Sequence, residues 1–116
     1  YNDRLLKTDE KIQELLERYK NININDTSKW SNQGATFTRQ LYNMLQLARV
    51  ITLGAYNRNE SRGAHYKPEF PERNDAEWLK TTKAKFVGPD QAPEFSYEDV
   101  DISLIKPRKR DYTKKH

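Results

Sequence analysis

The chain has 116 residues, 34% hydrophobic and 33% charged, and a formal net charge of +4; that admits at most one ordinary domain with a small core. It contains no cysteine, which excludes a disulfide framework, a thiolate metal site and a thiol nucleophile, and its two histidines, His65 and His116, are too few for a histidine metal site. No run approaches the ~18 apolar residues of a membrane span, and the start lacks the layout of a secretory signal.

The first seven residues, YNDRLLK, are ambiguous, and a chain starting at Tyr1 reads as a piece of something larger. Thr8 is placed to cap a helix over about residues 9–21, with Asp9 and Glu10 in its first turn, where the helix dipole favours acids. Ile12, Leu15, Leu16 and Tyr19 form its apolar face. Residues 21–33 break the pattern with Asn, Asp, Ser and β-branched residues, and Trp30 is expected to anchor this loop on the bundle.

A second helix starts somewhere in residues 32–38, with Asn32, Thr36 and Thr38 as competing caps. Phe37, Leu41, Met44, Ala48, Ile51 and Ala55 make one seam, and Leu45, Leu47, Val50 and Leu53 make a second stripe. The first helix offers one apolar face and cannot cover both. The chain is therefore expected either to pack on an element outside itself or to self-associate through residues 37–55. Gly63 is the expected C′ residue of this helix.

Pro68 and Pro71 keep the following strap extended. Asn74-Asp75-Ala76-Glu77 is a capping-box pattern opening a short helix over about 75–81 that carries Trp78 and Leu79. Residues 82–105 read as a β-hairpin turning at 88–93, with Ala84 and Phe86, then Phe95 and Tyr97, in phase. Val100, Ile102 and Leu104 fall in the other phase, which predicts a bulge near Asp99. Residues 106–116 carry six Lys or Arg and one Asp, so the basic excess belongs to a tail. No aromatic platform is interleaved with those charges, and the tail reads as solvated, not as a nucleic-acid site.

There is no P-loop, dinucleotide-binding glycine motif or nucleophile elbow, and the four glycines are far apart. Glu69, Glu72, Asp75 and Glu77 read as caps and surface charge, since nothing apolar nearby would raise their pKa values. His65, flanked by Arg62 and Tyr66, has two open roles: facing an anionic group, or satisfying free carbonyls past a helix end.

Several segments resemble a known family. Asn43-Met44-Leu45 through Ala48, Ala55, the run Asn59-Glu60-Ser61-Arg62-Gly63-Ala64-His65-Tyr66, then Phe70-Pro71-Glu72-Arg73-Asn74-Asp75 and Trp78-Leu79-Lys80 are similar to the C-terminal region of succinate dehydrogenase and fumarate reductase flavoprotein subunits. Glu17 through Ile22 and Ile105 through Tyr112 extend the resemblance over nearly the whole chain. L-aspartate oxidase shares a looser version. Many members carry Lys or Arg where this chain has Asn57 and Asn59, and Arg where it has Lys67.

The resemblance implies a mainly α fold: part of a spectrin-repeat-like three-helix bundle whose first helix is missing, followed by a strap, a short helix and a β-hairpin. The implied divisions are 1–63 for the bundle portion, 64–105 for strap, short helix and hairpin, and 106–116 for the basic tail. It implies a parent that oxidises succinate to fumarate on covalently held FAD and passes electrons through an iron–sulfur subunit to quinone. The flavin site and the substrate-binding residues of the family lie upstream, so no catalytic, cofactor-binding or metal-binding residue is expected here. The implied partners are the flavin and capping domains of the same chain, the iron–sulfur subunit and, indirectly, a membrane anchor subunit. The implied location is the cytoplasmic side of the plasma membrane. Ser61, Arg62, Gly63, His65, Tyr66 and Trp78 are the candidates for docking. The alternative is a stand-alone helical interaction module.

Overall fold

The computed structural model describes residues 1–108; most of the basic tail anticipated at 106–116 lies outside them. Two long helices form an antiparallel hairpin, and a short helix and a two-stranded sheet pack beside the end of the second.

Helix α1 spans Asn2–Tyr19 and starts well before the expected cap. Thr8 lies inside it, its hydroxyl donating to the Arg4 carbonyl at 2.8 Å, the back-bond by which a mid-helix threonine satisfies its side chain. The covered seam runs Leu5, Asp9, Ile12, Leu16, Tyr19, alternating four and three, with Asp9 and Ile12 buried and the other three half-buried. A charged residue in that seam is what conceals the first two turns from a search for apolar periodicity.

Helix α2 spans Gln33–Asn57. Of the three possible caps, Asn32 is used: its side-chain oxygen accepts from the Ala35 amide at 2.9 Å. Its side-chain nitrogen donates to the carbonyls of Asp26 at 3.0 Å and Ser28 at 3.2 Å. The connecting loop is thus gathered onto the Asn32 amide. Trp30 does not anchor it; that side chain is 89% exposed.

The helices meet through Asp9 and Arg49, whose Nε donates to Oδ1 at 2.9 Å, and through the Tyr19 and Tyr42 rings, 5.4 Å apart. Gln13 donates to the second Asp9 oxygen at 2.8 Å. The ion pair is almost sealed from solvent, with side-chain exposures of 8% and 10%. Among the described residues Ile12 is the single fully buried hydrophobic residue, so this interface is held by a specific polar pair as much as by apolar area.

The excess apolar surface of α2 is real. Phe37, Met44, Leu47 and Ile51 are 61–72% exposed along one face. Leu47 belongs with this open seam and not with the covered stripe of Leu45, Val50 and Leu53, which is half-buried.

Helix α3 is the single turn Asp75–Trp78, shorter than the expected 75–81, because the chain becomes strand at once. Strand β1, Lys80–Lys85, pairs antiparallel with β2, Glu94–Asp99, in the register Thr82↔Tyr97 and Ala84↔Phe95. Those four residues share the face turned to α2 and α3: Phe95 lies against Gly54, and Tyr97 meets the Trp78 ring edge-on at 5.4 Å. No bulge occurs at Asp99. The pairing there is regular and the strand then ends, so the change of phase that starts at Val100 marks the end of a strand.

Candidate functional site

The chain reverses at the end of α2, and the reversal is built from a spacing of two. Arg58, Glu60 and Arg62 alternate along the sequence. In a helix such residues point apart. In extended backbone they share one side. Arg58 adopts φ −89 and ψ 94, and α2 stops at Asn57. The helix therefore ends before Gly63, the residue expected to end it.

Gly63 has another task. Arg62 and His65 exchange both backbone hydrogen bonds, at 2.8 and 3.0 Å, around the two-residue turn Gly63-Ala64. Gly63 has φ +59, and a glycine in that region at the first central position is what a tight II′-type turn requires.

Glu60 sits at the centre and is 0% exposed. One oxygen accepts from Arg58 Nε at 2.8 Å and Arg62 Nε at 2.9 Å. The other accepts from Arg62 Nη2 at 3.1 Å and the Asn74 amide at 3.0 Å. Burial pushes the Glu60 carboxyl upward, but the bonds from Arg62, Asn74 and Arg58 outweigh it and hold it below the usual carboxylate value. Asn74 keeps its cap on α3, accepting from the Glu77 amide at 3.2 Å. Its own amide, which the Glu of a capping box would take, is taken by Glu60.

From this centre the two guanidinium groups reach outward. Arg58 donates to the Lys80 carbonyl at 3.1 Å, to Thr82 Oγ1 at 2.9 Å and to the Trp78 carbonyl, and lies 5.4 Å over the Trp78 ring. Arg62 reaches Asp75 at 2.6 Å, and Arg73 holds the other Asp75 oxygen at 2.7 Å. Hydrogen bonding from Arg62, ahead of that from Arg73, lowers the Asp75 pKa. Glu60 and its arginines thus tie together the end of α2, the turn, α3 and the sheet.

The strap closes the other side. Ser61 Oγ donates to the Phe70 carbonyl at 2.7 Å and accepts from the Lys67 amide at 3.0 Å. Lys67 is 1% exposed. Its Nζ donates to the Tyr56 carbonyl and to Asn59 Oδ1, each at 2.8 Å. His65 Nε2 donates to the Arg58 carbonyl at 3.1 Å. Of the two roles open to His65, the carbonyl-capping one is observed.

The six expected docking residues divide accordingly. Ser61, Arg62, His65 and Trp78 are half-buried and bonded within the corner, whereas Gly63 and Tyr66 face solvent, Tyr66 with 65% exposure. Arg58, Glu60 and Lys67 were not anticipated. The signal available for the first two was the Arg-x-Glu-x-Arg alternation. For Lys67 the pattern of residues offers none, since a lysine beside Pro68 is ordinarily a surface residue; the Arg that many family members carry there is the one pointer to a cation.

Among the described residues there is no cluster of three or more side chains suited to a metal ion, and no helix is long and apolar enough to cross a membrane. What the corner does chemically is hold itself in one shape and present a tip.

Comparison with known proteins is specific. Residues 1–112 match the family described as fumarate reductase flavoprotein C-term. The chain is 80% identical over 115 residues, 99% of its length, to the succinate dehydrogenase flavoprotein subunit of Bacillus subtilis, of which it spans 20%. It is 40% identical over 114 residues, 97% of its length, to the fumarate reductase flavoprotein subunit of Haemophilus influenzae, of which it spans 19%. Among solved structures, the FrdA chain of an E. coli quinol fumarate reductase superimposes with a TM-score of 0.83 at 36% identity, covering 93% of this chain and 19% of that one. The chain thus spans about a fifth of the length of the relatives it matches. It belongs to the succinate dehydrogenase and fumarate reductase flavoprotein C-terminal family.

Proposed function

We propose that this chain is the C-terminal domain of a flavoprotein subunit that oxidises succinate to fumarate with FAD, and that its own work is packing and subunit docking. The likeness to the B. subtilis succinate dehydrogenase flavoprotein carries the reading. The corner agrees with it: both oxygens of Glu60, Arg62 Nε and Nη2, and His65 Nε2 are engaged with neighbouring groups of the same chain. Flavin and substrate are handled by other parts of the parent.

Two surfaces follow. The open seam of α2, from Phe37 to Ile51, packs against another part of the flavoprotein chain, completing a three-helix, spectrin-like bundle. The tip at Gly63, Ala64 and Tyr66 faces the iron–sulfur subunit. Through the iron–sulfur subunit and, indirectly, a membrane anchor subunit, the domain is held peripherally at the cytoplasmic face of the plasma membrane.

The experiment is direct. The purified chain is expected to carry no flavin absorbance and to oxidise no succinate, while the full-length flavoprotein does both. Flavin binding or turnover by the chain alone would overturn the reading.

A further inference from the structure

The corner is fastened twice, and the fastenings differ in kind. Glu60 is matched by guanidinium groups, which keep their charge at any ordinary pH. Lys67 is a buried ammonium whose three hydrogen-bond acceptors are all neutral: the carbonyls of Tyr56 at 2.8 Å and Arg58 at 3.4 Å, and Asn59 Oδ1 at 2.8 Å. An ammonium has three protons, and all three are in use. Two of the acceptors belong to the end of α2, where the helix leaves carbonyls unsatisfied and where a cation is favoured. The Tyr56 and Phe70 rings lie 6.0 and 5.7 Å from the nitrogen.

We propose that Lys67 is an alkaline-labile clasp: its ammonium ties the last turn of α2 to the strap, and loss of its proton frees the corner to move. The neutral amine has two protons and a lone pair for the same three acceptors. One acceptor then loses its donor, and the other two bonds lose their charge assistance. The charged surroundings are few. Glu69 in the strap, itself paired with the Tyr1 amino group at the start of α1 at 2.5 Å, favours the ammonium, whereas burial, the larger effect, disfavours it. From α2 the facing titratable groups are Tyr56, with ring and carbonyl, and Arg58, whose guanidinium is turned to β1. From the turn comes His65, sharing the Arg58 carbonyl. The Glu60 fastening does not titrate in the alkaline range, so release is local.

The clasp stands on this geometry alone; an effect on assembly would rest on the docking reading above. The test is hydrogen exchange of peptides covering residues 54–70 in the full-length flavoprotein, corrected for intrinsic rate, from about pH 7 to about pH 10, below the ordinary lysine range. Protection is expected to fall roughly ten- to hundredfold across that interval. Lys67→Arg should abolish the fall, Glu69→Gln should move it to lower pH, and Lys67→Met should show it already at neutral pH. Equal responses in the wild type and Lys67→Arg would overturn the proposal even if Lys67→Met failed to fold. Affinity for the iron–sulfur subunit, measured alongside, separates the two readings. A flat affinity with a normal loss of protection would sink docking through the corner and leave the clasp standing.

Discussion

Replacing Glu60 with Gln removes the centre of the corner while keeping its shape. The carboxylate accepts on both oxygens from Arg58, Arg62 and the Asn74 amide. A glutamine has one oxygen and one NH2, so its nitrogen must face a donor. The side chain is 0% exposed, so water cannot enter to relieve that conflict. The two guanidinium groups, with side-chain exposures of 14% and 26%, lose their buried counter-charge. Breaking a buried pair by removing one partner costs about 3–5 kcal/mol. Arg62 keeps Asp75, and Arg58 keeps the carbonyls of Trp78 and Lys80, so about 3 kcal/mol is the better expectation. Urea unfolding of the chain should report that loss, and the thermal midpoint should fall on the order of 10 °C. Glu98→Gln is the control. That side chain is 60% exposed and pairs with Lys83, and its loss should leave the midpoint in place. A change below about 1 kcal/mol for Glu60→Gln, the value of an ordinary surface pair, would refute the account of the corner.

Further outcomes follow from the same contacts. Because Glu60 and Asp75 have lowered pKa values in the folded state, the stability they confer is complete above the unfolded carboxylate values near pH 4. It is lost as pH falls through the lower folded values, and Glu60→Gln should flatten the acid limb of a stability–pH profile. Asp9→Ala strands Arg49 in the helix interface and should cost about 3–5 kcal/mol, whereas the double change Asp9→Leu with Arg49→Met should be near neutral; an unfolding cycle measures both. The purified chain should self-associate in sedimentation through the open face of α2, and Met44→Glu with Ile51→Glu should make it monomeric. A wild-type monomer at high concentration would count against that face.

Local chemistry in this chain was readable where a residue acts on its near neighbours. Asn74 announces its helix start, Asn32 is one of three caps offered for α2, and Ala84, Phe95 and Tyr97 alternate as a two-sided hairpin must, whereas Phe86, expected in the same phase, lies beyond β1 and is 62% exposed. The surplus of apolar surface on α2 was visible from the mismatch of one face against two. What stayed hidden depends on groups distant in sequence. Asp9 fills a seam position because Arg49, forty residues on, neutralises it. Asn57 ends α2 because Glu60 gathers arginines on either side and the Asn74 amide from α3. Lys67 is buried because the end of α2 leaves carbonyls there to be met. Trp30 looked like an anchor because large apolar side chains usually are, yet the loop is held by the Asn32 amide. Of the candidate site, the motif and its place in the chain were legible. The division into an inward-facing lock and an outward-facing tip was not, because turn geometry at Gly63 decides which side chains point where.

The central claim is that the corner is a locked base presenting a tip for docking. Tyr66, exposed and outside the Glu60 network, separates the two functions. The decisive measurement is the affinity of the full-length flavoprotein for its iron–sulfur subunit with Tyr66→Ala, read beside its thermal midpoint. Affinity should fall about tenfold with the midpoint unchanged. Unchanged affinity would contradict the claim.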